Sequence, residues 1–147
     1  MAKRSNKQQS QEVQSMDAID GNIDELEKGE SGGILLVKPT TFMNESGRSV
    51  RKVMDFYKLD LSDLWVVHDD LDIPLRKYKI VKGVGPRGHK GVLSVENHVG
   101  KSFWRVRVGV ENRKDRSLSG EDYTLMNFGK EEREVIDRVL EEIVGGL

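Results

Sequence analysis

The stretch LWVVHDD, residues 64–70, indicates the class of fold. Its first four residues, Leu64 to Val67, are apolar without interruption. A run that is apolar on both faces is typical of a strand in a parallel sheet covered by helices. Polar residues follow at once, starting with His68. The stretch therefore predicts a buried strand that carries acidic side chains to one edge of a sheet, where ligands of α/β proteins bind.

The segments before this strand continue the alternation of strand and helix. The apolar run Ile34–Val37 lies between glycine and proline and predicts a short strand. A loop follows, and a helix is predicted from Ser46, whose hydroxyl we expect to cap it. Helical spacing is shared by the following apolar residues: Val50, Val53, Met54 and Tyr57.

The segments after residue 70 extend the same order. Strands are predicted at residues 76–82 and 103–110, and helices at residues 91–99 and 130–144. In the strand at 103–110, alternation places Trp104, Val106, Val108 and Val110 on one face and Phe103, Arg105 and Arg107 on the other. The apolar stripe of the last helix comprises Val135, Ile136, Val139, Leu140 and Ile143. We predict a single α/β domain over residues 31–147, with a mixed, mostly parallel sheet flanked by helices.

Residues 1–30 differ from the rest of the chain. They are rich in Gln, Ser, Asp and Glu and have neither a helical nor a strand period. We interpret them as a polar N-terminal segment with weak order. The chain contains no cysteine, no apolar run of about 20 residues and no signal peptide pattern. We therefore expect a cytoplasmic protein that does not enter a membrane.

Charge is distributed unevenly along the chain. The net charge is −1, yet residues 73–107 hold nine basic residues against one acid, Glu96. A local basic block in a neutral protein suggests a site for a polyanion. A solvated charged surface is the alternative interpretation.

Three segments that follow predicted strands carry side chains suited to chemistry. Asn44 follows the first strand, the acids at 69, 70 and 72 follow the second, and the glycine-rich loop GVGPRGHKG, residues 83–91, follows the third. Such loops meet at one edge of an α/β sheet. The glycine loop opens a helix and suits an anion, with added charge from Lys82, Arg87 and Lys90. An ordinary turn is the alternative.

The acidic triplet is open to three interpretations. Asp69 and Asp72 could hold a metal, but no second acidic cluster completes such a site, so we expect none. One carboxylate could instead orient a catalytic base, or the acids could simply shape a turn. His68 is expected to be a packed core histidine. Arg105 and Arg107 share a strand face and suit either a phosphate or an exposed basic surface.

Five segments together resemble the bacterial peptidyl-tRNA hydrolase family. They are KPTTFMNESG (38–47), VVHDDLDIP (66–74), GVGPRGHKG (83–91), FWRVRVGV (103–110) and DYTLMNFGKEE (122–132). Their order and spacing match the family from about Ile34 to Leu140. The resemblance implies hydrolysis of the ester between a peptide and the 3′ end of tRNA, without a metal or other cofactor, by a monomer.

The resemblance also implies roles for particular residues. Asp69 corresponds to the aspartate that orients the general-base histidine of the family. Phe42 and Asn44 correspond to contacts with the tRNA end, and His89 to a histidine of the substrate channel. Arg107 corresponds to a basic residue of the tRNA phosphate site.

The chain departs from the family pattern in two respects that concern function. Residues 1–33 contain no histidine and no Asn-Pro-Gly, so the family's first strand, its general base and an asparagine that selects substrates have no counterpart. Lys90 stands where the family has an asparagine that touches the tRNA end, and a lysine cannot accept a hydrogen bond. Three hypotheses remain: a hydrolase, a non-catalytic RNA-binding module of the same fold, and a fragment of a full enzyme.

Overall fold

The computed structural model describes residues 23–28, 34–83, 88–115 and 117–146. In chain order, the elements are β1 (Ile23–Lys28), β2 (Leu35–Pro39), α1 (Ser46–Tyr57), β3 (Trp65–Pro74), β4 (Tyr78–Lys82), α2 (Lys90–Val99), β5 (Trp104–Glu111), α3 (Gly120–Thr124) and α4 (Lys130–Gly146). Single 3₁₀ turns lie at Met43–Glu45 and Leu61–Asp63. The order of strands and helices predicted from residue 34 onward is confirmed. Strand β1 was not predicted, because its segment is polar.

The strands form two sheets within the described residues. Strands β1 and β2 pair antiparallel. The other sheet has the order β3-β5-β4, in which β3 and β5 are parallel and β4 and β5 are antiparallel. The prediction of a mixed sheet is confirmed, but parallel pairing does not predominate. The reason is the connection of residues 75–77, which is too short for the crossover that a parallel strand needs.

This short connection passes over the end of β5. The Leu75 N–H donates to the Glu111 carbonyl at 3.0 Å, and the Gly109 N–H donates to the Lys77 carbonyl at 2.8 Å. A Cβ on Gly109 would lie 2.2 Å from the Pro74 carbonyl oxygen, so only glycine allows the chain to cross here. Strand β4 consequently reaches the far side of β5.

The three-stranded sheet lies between two layers of helix. On one face, β5 contributes Val106, Val108 and Val110, which pack against α4 residues Ile136, Val139 and Ile143. On the other face, Val92 and Val95 of α2 pack with Phe103, Val66 and Val50. These contacts confirm the alternation predicted for β5 and the apolar stripe of α4, except that Leu140 is partly exposed.

Three local predictions were wrong. Ser46 is the first residue of α1 rather than its cap, and its hydroxyl donates to the Met43 carbonyl at 2.8 Å. Strand β3 does not end at Val67 but continues to Pro74. Nor is β3 covered on both faces by the described residues, because it is an edge strand and Val67 is 55% exposed.

Candidate active site

Asp69 lies in the middle of β3, beside Val108 of β5. Because successive side chains of a strand point to opposite faces, Asp69 and its neighbour Asp70 face opposite sides of the sheet. The side chain of Asp69 is 40% exposed, whereas that of Asp70 is buried. The two acids therefore have different environments, although they are adjacent in sequence.

His89 connects Asp69 to the start of α2. The His89 Nε2 atom lies 3.1 Å from Asp69 Oδ1, and the Val92 backbone N–H donates to His89 Nδ1 at 3.1 Å. Since Nδ1 accepts a hydrogen bond, the proton of the neutral ring is on Nε2, which donates to the carboxylate. His89 is thus both the N-cap of α2 and the partner of Asp69.

This hydrogen bond keeps Asp69 ionised. The bond from His89 lowers the pKa of the Asp69 carboxyl below its ordinary value, and it outweighs partial burial, which acts in the opposite direction. No side chain in the described part of the chain bonds to the second oxygen, Oδ2. Asp69 therefore offers a charged, half-exposed oxygen to an incoming group.

His89 cannot accept a proton from water in this arrangement. Its Nδ1 lone pair is used by the Val92 N–H, and its Nε2 carries the proton shared with Asp69. A general base needs a free lone pair within hydrogen-bond reach of the water. The site geometry therefore gives His89 a positioning role.

His68 is a buried core histidine, as predicted. Its Nδ1–H donates to the Asp69 carbonyl at 2.8 Å, and its Nε2 has no hydrogen-bond partner among the described residues. Burial lowers the pKa of His68 below its ordinary value. The rings of His68 and His89 meet edge to face with their centroids 4.9 Å apart, so a neutral imidazole lies beside the Asp69–His89 pair.

Arg107 pairs with Asp70 on the buried side of β3. The Arg107 Nε lies 2.6 Å from Asp70 Oδ2, and the second carboxylate oxygen accepts the Asp72 N–H at 2.9 Å. The role of Arg107 at a tRNA phosphate stays a prediction, and any phosphate would share this guanidinium with Asp70. Arg105 is fully buried and bonded to Glu96, so it lies neither at a phosphate site nor on an exposed surface.

The loop between β2 and α1 is held against the start of α2. A Cβ on Gly91 would lie 2.4 Å from the Met43 sulfur, which shows how closely Met43 packs there. Phe42 is 80% exposed, and Asn44 is also exposed. The structure thus brings the segment of Phe42 and Asn44 next to His89. Sequence reasoning missed Met43, for which the only signal was its position between these two residues.

Lys90 is the first residue of α2, next to His89. Its Nζ lies 2.6 Å from Glu121 Oε1 of α3. The glycine loop before it has positive φ angles at Gly83 (79°) and Gly88 (102°), while residues 84–87, which include Arg87, lie outside the described residues. Of the predicted site residues, Asp69, His89 and Lys90 adjoin one another, and Arg107 is bonded to Asp70, the neighbour of Asp69.

In the described part of the chain, no group of three or more His, Cys, Asp or Glu side chains is placed to hold a metal ion. Nor does that part contain a helix with the length and apolar character needed to cross a membrane.

Comparison with known proteins decides the family. A sequence profile described as "Peptidyl-tRNA hydrolase" matches residues 1–147. The chain belongs to the peptidyl-tRNA hydrolase family. It is 43% identical over 116 residues to the peptidyl-tRNA hydrolase of Azorhizobium caulinodans and 46% identical over 110 residues to that of Zymomonas mobilis. These matches cover 78% and 75% of this chain.

The structural comparison supports the same assignment. A crystal structure of peptidyl-tRNA hydrolase from Acinetobacter baumannii superposes with a TM-score of 0.66 at 27% identity. The match covers 76% of this chain and 57% of that one. Similarly, the chain spans only 56% and 58% of the lengths of the Azorhizobium and Zymomonas relatives.

Proposed function

We propose that this chain binds peptidyl-tRNA and supplies Asp69 to hydrolysis of the ester that joins the peptide to the 3′ end of the tRNA. The observation that carries the proposal is the Asp69–His89 pair. It holds an ionised carboxylate at a half-exposed position, and no side chain among the described residues bonds to its second oxygen. Membership of the peptidyl-tRNA hydrolase family supplies the substrate class.

The reaction needs both a nucleophile and a proton acceptor. The water oxygen attacks the ester carbonyl carbon, and a base takes the water proton. The bond between that carbon and the tRNA 3′ oxygen then breaks, and the oxygen is protonated as it leaves. A carboxylate beside the base orients it and stabilises its positive charge. Because the pKa of Asp69 is lowered, this carboxylate is itself a poor base near neutral pH.

None of the three histidines of the chain is placed to act as the base. His89 has both ring nitrogens engaged, His68 is buried, and His98 lies in the last turn of α2, at the end remote from His89 and Asp69. A histidine base at Asp69 would have to come from outside these 147 residues. Hydrolysis by this chain alone is therefore expected to be slower by about 10²–10⁴-fold than with a base in place.

Substrate contacts are proposed at five residues. Phe42 and Asn44 would meet the 3′-terminal nucleotide, His89 would hold Asp69 in the substrate channel, and Lys90 and Arg107 would face phosphates. The basic residues of the block 73–107 other than the buried Arg105 would extend this contact along the RNA. Since the proposed substrate is a cytoplasmic RNA, we propose that the domain acts in the cytoplasm. We also propose that it acts as a monomer.

The absence of a histidine placed to act as the base also favours a second function, that of a non-catalytic RNA-binding module. Such a module would bind tRNA but would leave the ester intact. Both functions predict salt-sensitive tRNA binding, so binding alone does not separate them.

The separating experiment measures cleavage of an N-acetylated aminoacyl-tRNA by the purified chain, with and without added imidazole. Asp69→Asn is the matched control, because it keeps the shape of the side chain and removes its charge. For a hydrolase that lacks only its base, we expect slow turnover that imidazole accelerates in the wild type and not in Asp69→Asn. Binding without cleavage, with or without imidazole, would refute the hydrolase proposal and leave the binding module.

A further inference from the structure

Lys90 and Glu121 form an ion pair at the rim of the candidate site. The Lys90 Nζ lies 2.6 Å from Glu121 Oε1, and the two side chains are 67% and 72% exposed. Lys90 directly follows His89, whose ring holds Asp69. Lys90 is thus the cationic residue nearest to His89 along the chain, and it is paired with an acidic side chain of α3.

The backbone around Glu121 is fixed beside the site. Ser119 caps α3 by accepting the Asp122 N–H at 3.0 Å, and the Thr124 hydroxyl donates to the Glu121 carbonyl at 2.9 Å. A Cβ on Gly120 would lie 2.7 Å from Leu71 Cδ1 of β3, so α3 lies directly against the strand that carries Asp69. Contact between Glu121 and Lys90 therefore follows from how α3 packs.

The pair is easily exchanged. Water screens an exposed ion pair, so breaking it costs little. A phosphate oxygen accepts the same charge-assisted hydrogen bond from a lysine as a carboxylate oxygen does. A phosphate that arrives at this rim can replace Glu121 without leaving Lys90 unpaired.

We propose that Lys90 binds a phosphate of the RNA 3′ end and that Glu121 competes with that phosphate, so that Glu121 sets the affinity of the site for RNA. The inference rests on the proposed function, because it takes the ligand to be the end of a tRNA. An asparagine at position 90 would carry no charge and would need no acidic partner, whereas Lys90 is paired with Glu121. Glu121 is the new element, acting as an internal competitor.

The test uses a short RNA hairpin that ends in single-stranded CCA, whose binding is measured at low salt. The proteins are the wild type, Glu121→Gln, Lys90→Met, the double variant, and Glu141→Gln. Glu141 is an exposed acid on α4, so its variant controls for the change in net charge. All substitutions are on exposed side chains, and circular dichroism confirms the fold of each variant.

Glu121→Gln is expected to tighten binding about two- to fivefold, the range for an exposed ion pair. Lys90→Met should weaken binding, and adding Glu121→Gln to it should change nothing further. Equal tightening by Glu121→Gln in the Lys90→Met background, or by Glu141→Gln, would overturn the inference, because general repulsion would then explain the effect. If the wild type binds the RNA and Glu121→Gln binds it with the same affinity, this inference is overturned and the proposed function is not. Absence of binding by all five proteins would overturn the proposed function as well.

Discussion

His89 makes two contacts that substitution can separate. Replacing it with Ala removes the cap of α2 and the hydrogen bond to Asp69. Loss of a helix cap costs about 1 kcal/mol. Loss of a hydrogen bond to a charged group costs about 1.5–3 kcal/mol when the bond is buried, and about 1 kcal/mol here because Asp69 is 40% exposed and water can replace His89. We therefore expect His89→Ala to lower the free energy of unfolding by about 2 kcal/mol.

His89→Asn is the matched variant. Asparagine is among the best N-cap residues, so it preserves the bond to the Val92 N–H, while its shorter side chain loses Asp69. About half of the destabilisation, near 1 kcal/mol, should remain. Urea unfolding followed by the fluorescence of Trp65 and Trp104 measures both variants.

The pH dependence gives a second readout of the same contact. The folded-state pKa of Asp69 is lowered, so its contribution to stability is present above the unfolded-state value of about 3.9 and is lost as the pH falls through the folded-state value. The Asp69 part of the His89→Ala effect should thus be full at pH 7 and should decrease as the pH falls below about 3.9. The two-contact argument would be refuted by equal destabilisation in His89→Asn and His89→Ala, or by a His89→Ala effect below about 0.5 kcal/mol.

Three further predictions concern the core around the site. Burial lowers the pKa of His68, so as the pH falls the unfolded chain binds a proton at this residue before the folded chain does. The wild type should therefore lose stability below about pH 6.5. His68→Asn should remove most of that loss, as measured by urea titrations at pH 5 and pH 7. Arg107→Met should cost about 3 kcal/mol in urea unfolding because it leaves the Asp70 carboxylate buried and unpaired, and adding Asp70→Asn should recover part of it; an additive double variant would contradict the pairing. A Cβ at Gly47 would lie 2.1 Å from the Ser94 carbonyl oxygen where α1 crosses α2, so Gly47→Ala should lower the stability by about 1–3 kcal/mol, and an unchanged melting temperature would show that the helices can separate freely.

Local sequence pattern was sufficient where an element's own periodicity reports which face is buried. The alternation in β5 predicted that Val106, Val108 and Val110 share a face, and the spacing in α4 predicted the stripe that packs against them. Both signals lie within one element, so no knowledge of a partner was needed. Strand β1 has a polar sequence, and its pairing with β2 left no such signal.

Local pattern failed where a charged residue is neutralised by a distant one. Sequence reasoning ended β3 at Val67 because acids follow, yet Asp70 is acceptable inside the strand once Arg107, 37 residues later, pairs with it. Arg105 appeared to be a surface or phosphate-binding residue for the same reason, and its partner Glu96 lies on a neighbouring helix. A buried charge needs its counterpart, and only the tertiary fold shows which residue that is.

The order of residues in His68-Asp69-Asp70 explains how one strand serves both the core and the site. With a period of two, His68 and Asp70 turn toward the buried face, where a lowered pKa keeps the histidine neutral and Arg107 balances the acid. Asp69 alone points to the other face, and its partner His89, a neutral ring that also contacts His68, leaves the negative charge uncancelled. A shift of one residue in the pairing of β3 would bury Asp69 and expose Asp70. The register of β3 with β5 therefore determines which of the two acids is half-exposed, and the Asp70–Arg107 hydrogen bond joins these two strands in that register.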